Sequence, residues 1–329
     1  MSYILTEEQQ LIGQSACDFA KESLNAIAVE LDRTGEFPKA AIDALAGYDF
    51  LGLLLPAEDG GAEAGFVSYV NVVEVLARSC PAVASIVNSH VLAAYAIQKW
   101  GSVELKKQLL PGMAKGEVLG AIAAADSGPT GLAGNGKLVA IRQGDSYVLN
   151  GAKTFVRNAG EAGLYVVFAT TDGVVKPPAL TAFIVNAGTP GLNVGAKQNT
   201  LGLRGCPVAD LVFVNVVVPD SCILGSANGG NAILATTLAV ASVSEAAETV
   251  GIAQAALEHA AAYSKQRIQF GRAIGSFQAI QTLLAACGGH EHPQDLRDLI
   301  AAFLSDAYDF GQRDARLEIL ISSRCEAPQ

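Results

Sequence analysis

The sequence predicts an α+β protein in which a helical segment, a β-rich segment and a second helical segment follow one another. Half of the 329 residues are apolar and only 6% are aromatic, which is typical of densely packed, alanine-rich helices. Short β-rich runs separated by Gly, Asn and Asp occupy residues 118–219. We therefore expect an N-terminal all-helical domain over 1–116, a central β-barrel or sandwich domain over 117–222 and a C-terminal helical domain over 223–329.

The N-terminal segment carries helix start and stop signals. Thr6 and Gln9 have the spacing of a capping box, in which two side chains satisfy the free N–H groups of a first helical turn. Four further helical runs are broken by proline and by a Gly-Gly turn; they cover 39–47, 67–78, 82–100 and 102–115. None of these helices follows a strand and a Gly-rich turn, so a Rossmann nucleotide site is not supported.

The chain after residue 117 is predicted to contain first strands and then helices. Six β-rich runs are predicted at 118–125, 138–143, 146–156, 164–171, 180–185 and 209–218, and three helices at 230–265, 275–286 and 293–310. The stretch 221–244 carries no charge, but it contains Asn228, Gly229, Gly230 and Asn231. We therefore interpret it as part of a helix buried in a bundle and expect no membrane span.

Charge and cysteine content limit the function classes. The net charge of −10 argues against nucleic acid as the main partner. Six cysteines without a regular spacing, and no cationic and apolar leader, predict reduced thiols and a cytoplasmic protein. Cys287, His290 and His292 have a C-x2-H-x-H spacing but no convincing fourth ligand, so we expect no metal site.

Residues 263–281, YSKQRIQFGRAIGSFQAIQ, form the most specific motif. Arg267 can bind a diphosphate through two parallel hydrogen bonds, which a lysine cannot do. Phe270 supplies an aromatic ring, and Gln269 and Gln278 supply amides. The combination suits a phosphate-bearing cofactor with a flat ring, whereas the ordinary alternative is that Arg267 caps carbonyls or pairs with a surface acid.

Together with three other segments, this motif resembles the acyl-CoA dehydrogenase family over nearly the whole chain. The other segments are KWGSVELKKQLLPGMAKGEVLGAIA at 99–123, GDSYVLNGAK at 144–153 and LGLRGCPVADLVFVNVVVP at 201–219. The resemblance implies FAD as cofactor, a tetramer built as a dimer of dimers, and desaturation of an acyl thioester between Cα and Cβ. It also implies that Arg267, Phe270 and Gln278, with Gln269 between them, reach the FAD of another subunit.

The sequence departs from the family where the flavin ring and the substrate are expected. By the resemblance, a threonine that bonds the flavin is replaced by Ala125, a serine by Gly131 and a second threonine by Arg157. Arg157 either polarises an altered flavin pocket or fills the space of a lost flavin. The positions that normally grip CoA hold the uncharged residues 239–242.

The catalytic base of the family is also missing. Ser322 stands at its usual position, and Ala241 stands at the position used by a minority of members. Serine is a poor base near pH 7. Glu245, one turn beyond Ala241, is the first candidate for a relocated base. Glu248 and Glu318 are weaker candidates.

These departures predict a subunit of a heteromeric acyl-CoA dehydrogenase, expected as α2β2, that lacks its own base and helps to bind the FAD of a paralogous subunit. The resemblance further implies an acyl-CoA substrate, electron-transferring flavoprotein as electron acceptor, and a truncated C-terminal helical bundle. Two alternatives stay open: a homomeric dehydrogenase that uses Glu245, and a flavin-free scaffold or regulatory homologue.

Overall fold

The computed structural model describes residues 5–126, 137–172 and 178–289, and the structural statements below concern those ranges. Within them the predicted α+β fold is confirmed: a helical part, a mixed β-sheet and a long helix follow one another.

Six α-helices form the N-terminal part. They are α1 (Glu7–Phe19), α2 (Ala28–Thr34), α3 (Lys39–Ala46), α4 (Gly65–Ser79), α5 (Pro81–Trp100) and α6 (Val103–Ala114). The capping box is confirmed, since the Gln9 N–H donates to the Thr6 hydroxyl at 3.2 Å and the Thr6 N–H donates to the Gln9 side chain at 3.0 Å. Pro81 opens α5, where its missing N–H costs no helical bond.

The central part is one eight-stranded mixed sheet. Its strands are β1 (Gly120–Ala123), β2 (Leu138–Gln143), β3 (Ser146–Arg157), β4 (Leu164–Asp172), β5 (Ala179–Asn186), β6 (Leu192–Val194), β7 (Val208–Pro219) and β8 (Ile223–Leu224). The order is β6-β7-β3-β2-β4-β5-β8, and β1 pairs in parallel with β4. Strands β3 and β7 pair antiparallel with two register shifts, the second of which lies between Lys153 and Val156.

Both faces of β4 and β5 are buried, which explains why their sequences are apolar at nearly every position. Tyr165, Val167 and Phe183 belong to the core inside the sheet. Val166 and Phe168 face the other way, into a core shared with α5 and α6. The sheet is therefore fixed against the N-terminal helices by apolar packing.

The helix α7 (Gly230–Gln266) crosses from the sheet to the N-terminal helices. It packs closely on α4 at Gly251, where an added Cβ would lie 2.3 Å from the carbonyl oxygen of Glu74. By length and composition α7 is the one helix among the described residues that could cross a membrane, but half of its most apolar window is buried in the protein. The core helix of a protein can have the same length and composition.

A short hairpin and one more helix follow α7. The hairpin strands are β9 (Ile268–Gln269) and β10 (Arg272–Ala273), and the helix is α8 (Gln278–Gly289). The helix predicted at 275–286 begins three residues late, because a 3₁₀ turn over Ile274–Ser276 and an extended Phe277 precede it. The predicted helix at 293–310 lies outside the described residues.

Candidate cofactor-binding site

The motif at 263–281 folds as the end of α7, a β-hairpin and the start of α8. Helix α7 ends at Arg267, whose backbone is extended, and the Ile274 N–H donates to the Arg267 carbonyl at 2.9 Å. The two residues at the hairpin tip, Phe270 and Gly271, have φ angles of 51° and 78°. Positive φ at both central positions is what a tight two-residue hairpin requires. Glycine adopts it freely, whereas phenylalanine does so at a cost.

The side chains predicted to bind a cofactor all face solvent. Arg267, Gln269 and Gln278 are exposed, and Phe270 is 93% exposed. Within the described ranges no carboxylate lies within 4.0 Å of the Arg267 guanidinium, so the alternative in which it pairs with a surface acid is not observed there. The hairpin thus offers a cation, a ring and amides to a ligand outside the chain's own fold.

A second cluster lies at the end of β3, where the register shift re-aims the strand. Phe155 has φ of 53° and is 69% exposed, and its N–H donates to Asp210 Oδ1 at 3.2 Å. Asn158 also has positive φ but is fully buried; its amide donates to the carbonyl oxygens of Ile86 and Gly120 at 3.0 and 3.3 Å. The strand end is therefore anchored to α5 and β1.

Arg157 lies between these two residues and contacts α7. Its Nη1 is 3.1 Å from Oε1 of Glu245, and the two side chains are 35% and 51% exposed. Glu245, the candidate base of the homomeric alternative, is therefore the ion-pair partner of the arginine that stands at the family threonine position.

Glu248, one turn further along α7, is buried. The Ser85 hydroxyl donates to its Oε1 at 2.5 Å and the Asn88 amide donates to its Oε2 at 2.8 Å. Asn88 in turn accepts a hydrogen bond of 2.8 Å from the Tyr69 hydroxyl. Burial raises the pKa of Glu248 above its ordinary value, although the Ser85 hydrogen bond and the charge of Arg157 oppose the rise.

The sequence prediction named Glu248 but missed this network. Its signal was present: Ser85 and Asn88 are polar residues three apart on α5, a helix whose other central positions are mostly apolar. Polar side chains on a buried helix require partners, and an acid on a neighbouring buried helix supplies them.

Two other predicted sites are placed only in part. The carbonyl oxygen of Ala125 accepts a hydrogen bond from the Thr154 N–H at 3.0 Å, and the alanine side chain has no hydroxyl. Gly131 lies outside the described residues. Ser322, Glu318 and the segment around them also lie outside. On α7, residues 239–242 include no cation, and the Ser242 hydroxyl is bonded to the Leu238 carbonyl.

The metal prediction is not tested. Cys287 is an exposed free thiol at the end of α8, and His290 and His292 lie outside the described residues. Cys80, Cys206 and Cys222 are also free thiols.

The hairpin residues fit one end of an FAD bound by another subunit, whereas the residues at the end of β3 do not fit the flavin ring of an FAD bound by this chain. The hairpin fits the diphosphate and adenosine end, because Arg267 is exposed and unpaired within the described ranges and Phe270 presents an open ring. At the end of β3, the exposed Phe155 could still cover a flavin ring, but the neighbouring Arg157 forms an ion pair with Glu245. The chain's own residues therefore suit the phosphate end of FAD and not the reacting ring.

Comparison with known proteins gives a consistent result. Three family profiles match, described as Acyl-CoA dehydrogenase, N-terminal domain over residues 6–117, middle domain over 122–216 and C-terminal domain over 228–290. An acyl-CoA dehydrogenase of Bacillus subtilis is 36% identical over 282 residues, covering 85% of this chain and 74% of that protein.

Solved structures agree. Butyryl-CoA dehydrogenase from Megasphaera elsdenii has a TM-score of 0.82 at 34% identity, with 94% of this chain and 80% of that chain covered. A chain in the structure of the electron transferring flavoprotein of Acidaminococcus fermentans has a TM-score of 0.86 at 32% identity, with 93% and 80% covered.

Proposed function

This chain belongs to the acyl-CoA dehydrogenase family, and within that family of FAD flavoproteins we propose that it is the non-catalytic subunit of a heteromeric, α2β2 acyl-CoA dehydrogenase. In this proposal it contributes Arg267, Phe270 and Gln278, with Gln269 between them, to an FAD held mainly by a paralogous subunit. The partner supplies the base and the acyl-CoA pocket. Electron-transferring flavoprotein accepts the electrons, and the complex is cytoplasmic.

One observation carries the proposal: both α7 carboxylates at the end of β3 already have partners. Glu245 is paired with Arg157 at 3.1 Å, and Glu248 accepts hydrogen bonds from Ser85 and Asn88. A base that removes an α-proton must reach the substrate with a free lone pair. As placed, Oε1 of Glu245 is engaged by Arg157, and both oxygens of Glu248 accept hydrogen bonds from buried donors.

The hairpin supports the other half of the proposal. Its cation and its ring face outward, and Phe270 at 93% exposure gains almost no burial from its own chain. Exposed aromatic and arginine side chains on a fixed turn are suited to contacts with another molecule. The hairpin side chains proposed to contact the partner's FAD are thus exposed, whereas the carboxylates that could serve as a base in this chain already have partners.

The runner-up is a homomeric dehydrogenase with Glu245 as the base. The observation in its favour is that the Glu245 side chain is 51% exposed, so its ion pair with Arg157 is partly solvated and costs little to break. It predicts that the chain alone oxidises acyl-CoA.

One experiment distinguishes the heteromeric proposal from the homomeric alternative. The full chain is purified alone and together with a co-expressed paralogue that retains the family base. The visible spectrum and the acyl-CoA oxidation of each preparation are then recorded. We expect flavin absorbance and turnover only in the complex. Yellow chain that oxidises acyl-CoA alone would refute the proposal, and a colourless complex would point to a flavin-free scaffold.

Variants sharpen the result. Arg267→Ala in this subunit should release FAD from the complex, because a diphosphate contact is lost. Lys265→Ala, which removes the same charge from the end of α7, is the matched control and should retain FAD. Glu245→Gln should leave turnover unchanged; loss of turnover with retained FAD would instead support the relocated base.

A further inference from the structure

The segment that holds the hairpin is basic in an acidic protein. The whole chain has a net charge of −10, yet no acidic residue occurs between Glu258 and Glu291. In the same interval the sequence carries Lys265, Arg267 and Arg272. Only one of these three cations, Arg267, has a predicted ligand.

The hairpin pairing places two of the three on one surface. Arg272 is the cross-strand partner of Gln269, and Ala273 is the partner of Ile268. Cross-strand partners project to the same side of an antiparallel pair, and so do residues two apart on one strand. Arg267, Gln269 and Arg272 therefore share one face of the hairpin.

Arg272 is held in place by a ring and not by an acid. Its Cζ lies 4.2 Å from the centroid of Phe277, and no carboxylate within the described ranges lies within 4.0 Å of it. Phe277 meets Phe270 edge-on, with centroids 6.2 Å apart and ring planes at 89°. A guanidinium stacked on a ring uses its flat face, so the N–H donors at its edge stay available for hydrogen bonds.

We propose that Arg272 is a second diphosphate-binding residue of this hairpin and that it acts together with Arg267 on the adenosine diphosphate end of the dinucleotide. The inference rests on the proposed function and extends it to a residue outside the four predicted from the sequence. Two guanidinium groups on one face match the two negative charges of a diphosphate ester. The stack on Phe277 fixes Arg272 beforehand, which lowers the entropy cost of binding.

The test is titration of the flavin-free complex of this chain and its paralogue with ADP by calorimetry, at low and at moderate salt. Arg272→Ala should weaken ADP binding about tenfold, because a charge-assisted contact is lost, and should make binding less sensitive to salt. Lys265→Ala removes the same charge from the neighbouring helix and should change affinity by less than about twofold. Arg272→Lys keeps the charge but not the flat fork, so its affinity should lie between those of wild type and Arg272→Ala.

The outcomes are distinguishable. If Arg267→Ala weakens ADP binding while Arg272→Ala matches Lys265→Ala, this inference is wrong and the proposed function stands. If the wild-type complex binds no ADP, or Arg267→Ala has no effect, the proposed contribution to FAD binding fails as well. Thermal unfolding of each variant separates lost binding from lost folding, and Arg272→Lys provides the same test should Arg272→Ala fail to fold.

Discussion

Replacing Glu248 by alanine is expected to lower the free energy of unfolding by about 2–6 kcal/mol, because two buried donors lose their acceptor at a cost of about 1–3 kcal/mol each. The donors are the Ser85 hydroxyl and the Asn88 amide, at 2.5 and 2.8 Å from the carboxylate. Asn88 cannot turn its amide around without losing the hydrogen bond from Tyr69.

Glutamine at the same position should behave differently. Its amide oxygen can accept from Asn88, and its amide N–H can donate to Ser85 once that hydroxyl rotates. The volume is preserved and a buried charge is removed. Glu248→Gln is therefore expected to be neutral or stabilising at pH 7.

The pH dependence gives an independent check. Burial raises the pKa of Glu248 in the folded protein above 4.5, the value taken for the unfolded chain. As pH rises above 4.5, the unfolded chain loses a proton that the folded protein retains. Stability contributed by this group is therefore complete at low pH and declines until pH passes the raised folded pKa. Each tenfold difference in proton affinity corresponds to about 1.4 kcal/mol.

Urea unfolding of wild type and both variants, followed by circular dichroism at pH 5 and at pH 8, measures both effects. The free energy of unfolding of Glu248→Gln, relative to that of wild type, should increase from pH 5 to pH 8. The reasoning is refuted if Glu248→Ala is as stable as Glu248→Gln, or if Glu248→Gln follows the wild-type pH dependence. In the complex with the partner, Glu248→Gln should leave turnover unchanged, and a large loss would make Glu248 a base.

Two further predictions concern the packing that positions the site. Lys153 and Asp126 form an ion pair of 2.5 Å with both side chains 1% exposed, so Lys153→Met should destabilise the protein by about 3–5 kcal/mol. Adding Asp126→Leu removes the buried carboxylate left by that change and should restore part of the loss in urea unfolding; no recovery would contradict the assignment. Gly251→Ala should cost about 1–3 kcal/mol, because α4 and α7 must separate to admit the methyl group. Gly188→Ala, which meets no atom within 4 Å, is the control, and equal melting temperatures would refute the close approach.

Local sequence signals predicted the elements well, and contacts between distant elements poorly. β2 was predicted at 138–143 and is observed there, because alternating residues and flanking turns define both of its ends. The start of α8 was misplaced, since the 3₁₀ turn before it has nearly the same residue pattern as a helix.

The contact between Arg157 and Glu245 could not be predicted from the sequence. It joins the end of β3 to the middle of α7, and nothing in either segment specifies the other. The sequence offered two roles for Arg157 and one for Glu245 separately. Only the fold shows that the two side chains form an ion pair, an observation that the proposal about the base depends on.

The hairpin tip allows a last test of whether Phe270 serves another molecule. A non-glycine residue at φ of 51° costs about 1–2 kcal/mol, and the edge contact with Phe277 returns only about 0.5 kcal/mol at so exposed a position. Phe270→Asn should therefore stabilise the isolated chain by about 1 kcal/mol, because asparagine suits this turn. The same variant should bind ADP more weakly and hold less FAD in the complex. If asparagine destabilises the chain, Phe270 is a structural part of this subunit and its exposure says nothing about a partner. If stability rises and nucleotide binding is unchanged, the ring contacts something other than the cofactor.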